Sequence, residues 1–172
     1  DFELLTCAAF VYFRNAGVDV AIIEAGMGGR FDSTNVIDAD VAVIPSIALE
    51  HTNFLGGTLE QIAWHKAGII KEGASVCVGA VPTEVLDVFK QEATEKNASL
   101  FFAPQDFYYK NNSIHVGDTL TLNDVKLIML GEHQLDNAAL AVASFLQFAH
   151  KQQLTIEPQH IRQALKEAKL PF

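Results

Sequence analysis

The sequence predicts an α/β fold built on a mostly parallel sheet flanked by helices, with a small antiparallel β extension. Three observations predict it. Short runs of consecutive apolar, often β-branched residues are typical of strands covered on both faces, and amphipathic stretches of helical period lie between them. A later segment carries short strands separated by turn residues. The 172 residues, 49% hydrophobic and 19% charged, are enough for one sizeable core.

The first half of the chain alternates helix and strand. Residues 3–14, ELLTCAAFVYFR, carry apolar side chains around most of the helical circumference and predict a mostly buried helix that ends before a glycine. Residues 18–26 and 38–49 are continuous apolar runs, which predict two strands of a covered parallel sheet. A threonine followed three residues later by a glutamine opens residues 58–70, and this capping-box pattern predicts the start of a helix.

The second half continues this alternation and then changes. Residues 74–80 predict a third strand, residues 82–97 a helix with a proline near its start, and residues 99–104 a fourth strand. Between residues 107 and 129, NN, VGD and LND turns separate short apolar stretches, which predicts the antiparallel extension. Two further helices are predicted at residues 134–150 and 158–169.

The composition excludes two classes of function. A formal net charge of -9 argues against a nucleic-acid ligand, because affinity for a phosphate backbone comes largely from clustered Lys and Arg. No apolar run approaches the roughly 20 residues that span a bilayer, and nothing resembles a signal peptide, so no membrane partner is expected. Cys7 and Cys77 fall in a predicted buried helix and a predicted buried strand, which favours free thiols and a cytoplasmic location.

Polar side chains stand where the first two predicted strands end. Glu24 ends the first, and Glu50 and His51 follow the second. Because open α/β sheets bind ligands at the carboxyl ends of their strands, these side chains are expected to share an edge. They suit an oxygen-preferring cation such as Mg²⁺, with substrate phosphates at its other positions. An exposed strand-end glutamate and a capping histidine explain the same spacing, so both interpretations stay open.

The loop after the first predicted strand, AGMGGRFDSTN, is rich in glycine and polar residues. It matches neither G-x-G-x-x-G nor G-x-x-x-x-G-K-[ST], so it is not a self-contained phosphate loop. Gly28 and Gly29 indicate either a simple turn or a close approach of backbone and ligand. Arg30, Asp32 and Asn35 supply more polar groups than a turn needs, which makes the loop a candidate for ligand binding.

Lys66 lies within an apolar helical stretch, IAWHKAGII. One interpretation is a lysine whose stem covers apolar surface while its ammonium stays in water. The other is an amine in apolar surroundings, which lower the pKa of a lysine and make it nucleophilic enough to accept CO₂ as a carbamate. The residues themselves leave this choice open.

Four blocks of the sequence form a combined pattern: FELLT, EAGMGGRFDSTNVI, IALEHTNFLGGTLEQIAWHKAGIIK and LGEHQLDNAALA. In order and spacing they resemble the central ATPase domain of the folylpolyglutamate synthase and dihydrofolate synthase family, within the Mur ligase superfamily. The resemblance implies a P-loop NTPase-like fold and a monomeric ATP-dependent amide ligase of folate biosynthesis. Such an enzyme phosphorylates the carboxylate of dihydropteroate or a folate, and the amine of L-glutamate then displaces the phosphate.

The resemblance also implies roles for individual residues. Glu24 and His51 match Mg²⁺-binding residues, and Lys66 matches the lysine of the KAGI motif, which this family carbamylates to help hold a second metal ion. These three are the expected catalytic and metal-binding residues. The expected ligand-binding residues are Phe2, Asp32 and Ser33, which match contacts to the pterin; Arg30, grouped with them for substrate; and His133, Gln134 and Asn137, which match residues near the adenine and ribose of ATP.

The sequence departs from the family pattern at three positions in or beside this set. Glu50 stands where the family has the shorter Asp, His65 stands where an acidic residue precedes KAGI, and Ser33 stands where alanine is common. None of the three replaces a proposed metal ligand. His65 lies beside Lys66, so it is expected to affect formation of the carbamate.

The family places its phosphate-binding loop before residue 1 and its glutamate-binding domain after residue 172. The chain begins at DFELL without a methionine and ends at LPF. Residues 1–172 are therefore expected to be a single, incomplete Mur-ligase-type central domain that is inactive alone. Two alternatives remain: a Mur-type ligase for a cell-wall precursor, which Phe2 and the GGRFDSTN loop disfavour, and a non-catalytic scaffold or binding domain, which intact Glu24, His51 and Lys66 disfavour.

Overall fold

A computed structural model of the chain describes residues 1–169, so the expectation about the LPF end lies outside the described residues. The predicted class, a parallel sheet flanked by helices with an antiparallel extension, is confirmed. The elements in chain order are α1 (Phe2–Ala16), a 3₁₀ turn (Ser33–Val36), β1 (Val41–Ile44), α2 (Thr52–Leu55), α3 (Leu59–Ala67), β2 (Ser75–Val78), α4 (Thr83–Glu95), β3 (Ser99–Phe102), β4 (Phe107–Lys110), β5 (Ser113–Val116), β6 (Leu120–Leu122), α5 (His133–Lys151) and α6 (Pro158–Glu167).

The parallel sheet has the order β1-β2-β3. Its central strand, β2, is buried at every residue, and its alternate side chains serve two cores. Val76 and Val78 pack with α3 and α4, whereas Cys77 packs with α5 on the opposite face. Because helices cover both faces, β2 needs no polar side, which explains why its sequence is a continuous apolar run.

The antiparallel extension forms a second sheet in the order β4-β5-β6. Asn111 and Asn112 join its first two strands with φ of 49° and 60°, the left-handed conformation that tight hairpins favour. Phe107, Ile114 and Leu122 pack in one core cluster with residues of α5. The NN turn was therefore a sound sequence indicator of this hairpin.

The strand predicted at residues 18–26 is wrong. This segment pairs with no strand among residues 1–169, so the parallel sheet has three strands instead of the four expected. Most of its residues are exposed, and Ile22 is 96% exposed. An apolar run shows only that a segment suits a sheet, because a strand also needs a hydrogen-bonding neighbour.

The burial predicted for the first helix is also wrong, although its bounds are close to those expected. Gly17, at a left-handed φ of 64°, ends α1. Thr6 is the helix's buried residue, while Leu4, Leu5 and Cys7 are exposed. Within the described part of the chain, α1 packs mainly on the 3₁₀ turn, which is too short to cover its apolar surface.

Helices α3, α4, α5 and α6 lie where their patterns predict them. Thr58 and Gln61 form the predicted capping box at the start of α3. No helix within residues 1–169 is long and apolar enough to cross a membrane.

Candidate active site

The glycine-rich loop lies directly against the C-terminal turn of α3. Gly28 and Gly29 have positive φ, 70° and 153°. A Cβ at Gly29 would lie 2.9 Å from the carbonyl oxygen of His65, and a Cβ at Gly68 would lie 2.5 Å from the Cα of Arg30. The loop therefore approaches the end of α3 closely, a contact that the sequence did not predict. The approach of a ligand to Gly28 and Gly29 stays a prediction.

Arg30 connects this loop to two helices. Its Nη2 lies 2.5 Å from Oε2 of Glu92 in α4, and only 22% and 10% of the two side chains are exposed. Its Nε donates a hydrogen bond to the carbonyl of Trp64 at 3.3 Å, and its guanidinium carbon lies 4.1 Å from the centroid of the indole ring. Arg30, predicted to bind substrate, thus has its guanidinium engaged within the protein.

Asp32 organises the loop through its carboxylate. Oδ1 accepts hydrogen bonds from the backbone N–H of Thr34 at 3.0 Å and from its hydroxyl at 2.6 Å, and Oδ2 accepts one from the N–H of Met27 at 2.8 Å. Partial burial acts to raise the pKa of Asp32, but these hydrogen bonds outweigh it and hold the pKa below its ordinary value. The carboxylate is therefore ionised at neutral pH.

Phe2 and Asp32 meet at Gly26. A Cβ on that glycine would lie 2.6 Å from Cζ of Phe2 and 3.2 Å from Oδ2 of Asp32. Ser33 follows as the first residue of the 3₁₀ turn. The structure thus brings together an aromatic ring and a carboxylate. The ring can stack on a flat heteroaromatic ligand, and the carboxylate can accept hydrogen bonds from the N–H groups of that ligand.

Lys66 lies in the last turn of α3 and has an acidic partner. Its Nζ is 2.8 Å from Oε1 of Glu50. The hydrogen bond from Lys66, its positive charge and a smaller effect of His51 lower the pKa of Glu50. Lys66 is half-buried, so it is neither a fully solvated lysine nor one held in purely apolar surroundings.

His65, the departure beside Lys66, lies in an aromatic cluster. Its ring centroid is 5.0 Å from that of Trp64 and 5.8 Å from that of Phe31. These packing contacts give the imidazole a structural role in the cluster. Its effect on carbamate formation stays a prediction.

His51 precedes α2 with a left-handed φ of 48°. This conformation is uncommon for a residue with a side chain and occurs often at functional sites. The carbonyl of His51 accepts hydrogen bonds from Phe54 and Leu55 at 2.8 and 2.9 Å, so its backbone holds the start of the helix. His51 itself is exposed next to Glu50.

The predicted magnesium ligands are not assembled into a cation site. Glu24 is exposed at the end of the unpaired segment, and Lys66 carries a positive charge. Within residues 1–169, no group of three or more His, Cys, Asp or Glu side chains is arranged to hold a metal ion. With the ammonium of Lys66 in place of a carbamate, these side chains do not form a Mg²⁺ site, and we assign no catalytic step to the ion.

The residues predicted to bind ATP are grouped at the start of α5. Asn137 donates a hydrogen bond from Nδ2 to Oε1 of Gln134 at 3.3 Å, one helical turn away. The ring of His133 lies over Gly131, where a Cβ would come within 2.5 Å of Cε1. Gln134 and Asn137 are therefore in contact, and His133 lies at the same helix terminus against Gly131.

Sequence analysis missed Glu92, the partner of Arg30. The apolar positions of α4 form a buried stripe that includes Val85, Phe89 and Ala93, and Glu92 falls on the same stripe. A carboxylate on a buried helix face requires a partner, since an unpaired buried charge is strongly unfavourable. The interrupted stripe was the available indicator, but it does not identify the partner.

The sequence and the structure of the chain were both compared with known proteins, and the matches agree on one family. The sequence matches the Mur ligase middle domain over residues 4–145. It is 36% identical to the dihydrofolate synthase/folylpolyglutamate synthase of Bacillus subtilis and 37% identical to the folylpolyglutamate synthase of Lacticaseibacillus casei, over 99% of this chain and 42% of each relative. An FPGS in complex with AMPPCP and folate superposes with a TM-score of 0.91 at 33% identity, over 99% of this chain and 43% of that one.

The family follows from the domain match. The domain match covers most of the chain, and it includes both the GGRFDSTN loop and the α3 lysine that the structure brings together. The chain spans less than half the length of the relatives compared with it. The resemblance that the four sequence blocks indicated is confirmed: the chain belongs to the Mur ligase middle-domain family, and the relatives that it matches over 99% of its length are folylpolyglutamate synthases and dihydrofolate synthase/folylpolyglutamate synthases.

Proposed function

We propose that the protein containing this chain is an ATP-dependent ligase that joins L-glutamate to dihydropteroate, to folates, or to both. The observation that carries the proposal is the structural match, with a TM-score of 0.91, to an FPGS in complex with AMPPCP and folate. AMPPCP is an analogue of ATP, and folate contains the pterin ring. Because this chain covers 43% of that protein, the reaction is proposed for the whole protein with residues 1–172 as its central domain.

The substrate pterin is proposed to bind at Phe2, Asp32 and Ser33. The phenyl ring lies beside Gly26, where it can stack on a flat heterocycle, and the Asp32 carboxylate retains acceptor capacity beyond its loop hydrogen bonds. The hydroxyl of Ser33 adds a donor and an acceptor next to it. Together these groups match the apolar faces and polar edges of a pterin.

ATP is proposed to bind at His133, Gln134 and Asn137. The side-chain amides of Gln134 and Asn137 offer donors and acceptors to adenine and ribose, and His133 offers a ring for stacking.

In the proposed reaction, a carboxylate oxygen of the substrate would attack the γ-phosphorus of ATP, and ADP would leave. The glutamate amine would then attack the acyl carbon, with phosphate as the leaving group and loss of one proton.

Magnesium and the carbamate of Lys66 are proposed to arrive together. A carbamate would replace the ammonium with a negative charge beside the Glu50 carboxylate, which now lies 2.8 Å from Nζ. Two adjacent anions repel each other unless a cation enters between or beside them. Glu24, His51 and a carbamylated Lys66 are the residues proposed to hold it.

The first experiment measures ATP-dependent phosphate release by the full-length protein with L-glutamate and either dihydropteroate or tetrahydrofolate. We expect turnover with at least one pterin, a requirement for Mg²⁺, and loss of turnover in Glu24→Ala. Glu84→Ala, an exposed glutamate on α4, serves as the matched control. If no phosphate is released with either pterin, the proposal is contradicted, and the cell-wall ligase or the scaffold is favoured.

Lys66→Ala in the full-length protein is expected to abolish ligation, because no carbamate can form on alanine. Bicarbonate is expected not to restore activity, whereas a small carboxylic acid such as formate restores part of it by replacing the carbamate. Lys90→Ala, at a lysine on the surface of α4, controls for the loss of positive charge. An active Lys66→Ala enzyme would exclude the carbamate.

A cytoplasmic location and a monomeric state are also proposed. Both cysteines are free thiols, which are typical of a reducing compartment. Size-exclusion chromatography with light scattering of the full-length protein tests the monomer.

A further inference from the structure

We propose that Arg30 and Glu92 form a clamp that positions the C-terminal turn of α3, and with it Lys66, against the loop that carries Asp32. The inference rests on the proposed function, since it concerns how two parts of that site are held together. It assigns Arg30 the role of a positioning residue in place of a direct contact to substrate.

The clamp acts on backbone groups that the helix leaves without partners. The last carbonyls of an α-helix have no N–H four residues further on to bond with. At the end of α3, the carbonyl of Trp64 accepts from Nε of Arg30 at 3.3 Å, and that of His65 accepts from the backbone N–H of Arg30 at 2.7 Å. A guanidinium cation also suits the negative end of the helix dipole. One residue thus caps the turn that contains Lys66.

Glu92 holds the guanidinium in this position. Its carboxylate is 90% buried as a side chain and pairs with Nη2 at 2.5 Å, while the indole of Trp64 lies against the guanidinium. If Arg30 turned away to bind a substrate anion, a buried carboxylate would lose its only ion-pair partner among the described residues. The pair therefore keeps Arg30 facing α3 and α4.

The loop is tied to the same turn at its other end. Nδ2 of Asn35 donates to the carbonyls of Arg30 and Gly68, each at 3.0 Å, and Nζ of Lys71 donates to the carbonyl of Asn35 at 2.8 Å. Asp32 and Ser33 lie between these two attachments. A displacement of the proposed pterin loop must therefore move the end of α3.

The test compares Glu92→Gln, Arg30→Lys and the control Asp87→Asn in the full-length protein. Glutamine keeps the size of Glu92 but removes its charge, and lysine keeps the charge of Arg30 but removes its planar fork. Asp87 lies on the same helix, where it pairs with Lys90 at 3.0 Å on the surface. The readouts are hydrogen exchange at the amides of Ile69 and Ile70, which close the final turn, and kcat and KM for the pterin.

Both clamp variants are expected to speed exchange at these amides several-fold relative to the wild type and the control. They are expected to lower kcat by about tenfold or more, because small displacements of a reacting group reduce rates strongly. KM for the pterin should stay within about twofold, since no ligand contact is removed. The double variant Arg30→Met with Glu92→Leu removes both charges, keeps the fold and retains the low kcat.

Three results would overturn the clamp: unchanged exchange in Glu92→Gln, faster exchange with unchanged kcat, or a raised pterin KM with normal kcat in Arg30→Lys. The last result would return Arg30 to the substrate site. A wild-type protein that does not ligate any pterin overturns the proposed function instead. In that case exchange at Ile69 and Ile70 still decides whether the clamp orders α3.

Discussion

Asp32 organises its own loop and is also proposed to contact the pterin. Its two oxygens accept three hydrogen bonds from Met27 and Thr34, and Phe2 lies close to one of them across Gly26. Sequence motifs identified Asp32 only as a ligand contact. The structure adds that the carboxylate organises the loop from which it would bind.

Asp32→Asn is expected to destabilise the protein at neutral pH by about 1 kcal/mol, the usual net contribution of one hydrogen bond, because an amide nitrogen replaces the oxygen that accepts from the N–H of Met27. The folded-state pKa of Asp32 lies below its ordinary value of 3.8, so its contribution is present above that pH and is lost as pH falls through the folded-state pKa. Chemical denaturation at neutral and acidic pH measures the difference. Asp38→Asn, at an exposed aspartate, is the control; an equal effect of Asp32→Asn at both pH values would contradict the prediction.

The two cysteines are expected to react very differently. Burial, together with the charge of Asp106, raises the pKa of Cys77 to about 11, despite a hydrogen bond with Ser144 that acts to lower it. Cys7 is exposed on α1. Iodoacetamide should therefore alkylate Cys7 and spare Cys77 in the native protein, because the thiolate is the reactive species.

Mass spectrometry of the alkylated protein checks this prediction. In denaturant both cysteines should be modified, which serves as the internal control. Equal modification of Cys7 and Cys77 in the native protein would mean that the central strand β2 opens readily.

At the scale of elements, α3 and the glycine-rich loop behave as one structural unit. Each supplies a glycine where the backbone of the other approaches, and each supplies hydrogen-bond partners that the other lacks. The glycines in the sequence indicated a turn or an approach to a ligand, and did not indicate this contact with α3. The helix end that the loop contacts is more than thirty residues away in the chain.

Gly68→Ala tests this contact. The new Cβ would lie 2.5 Å from the Cα of Arg30, so loop and helix must separate, and we expect a loss of about 1–3 kcal/mol of stability, as for other overpacked sites. Pterin-dependent turnover should fall with it. Gly57→Ala is the control, because a Cβ there meets nothing within 4 Å. Equal unfolding midpoints for the two variants would rule out the tight approach.

At the scale of the whole molecule, the parallel sheet separates two cores. One contains residues of α3 and α4, and the other contains residues of α5 and the antiparallel sheet. Apolar side chains of α1 and of residues 18–22 remain outside both cores and are exposed. Stability should therefore depend on the two faces of β2 far more than on these exposed segments.

Phe89→Ala is expected to cost about 3–5 kcal/mol, the range for deleting a large buried aromatic side chain. Phe89 is fully buried in the core that holds α3 and α4 against the sheet. Phe54→Ala removes an equal volume from a side chain that is 73% exposed and should cost much less. Denaturant midpoints of the two full-length variants measure the difference; similar losses would contradict the assigned core.

Most of the fold was predictable because it depends on local periodicity. The helices from α3 onward, the buried strand β2 and the hairpin at Asn111–Asn112 each follow from side-chain spacing or turn chemistry within a few residues. The failures are non-local. Residues 18–26 have strand character but no paired neighbour, and α1 has apolar character but little cover among residues 1–169.

The candidate site, like the fold, has features that the sequence predicted and features that only the tertiary structure decided. Its sequence blocks identified the family and selected Glu24, His51 and Lys66, because residue types at fixed spacing are a property of the chain itself. Tertiary structure alone decided that Lys66 pairs with Glu50 and that Arg30 pairs with Glu92, 62 residues away. Charge partners depend on which segments pack together, and that depends on the whole set of burial and hydrogen-bond constraints, which no single stretch of sequence contains.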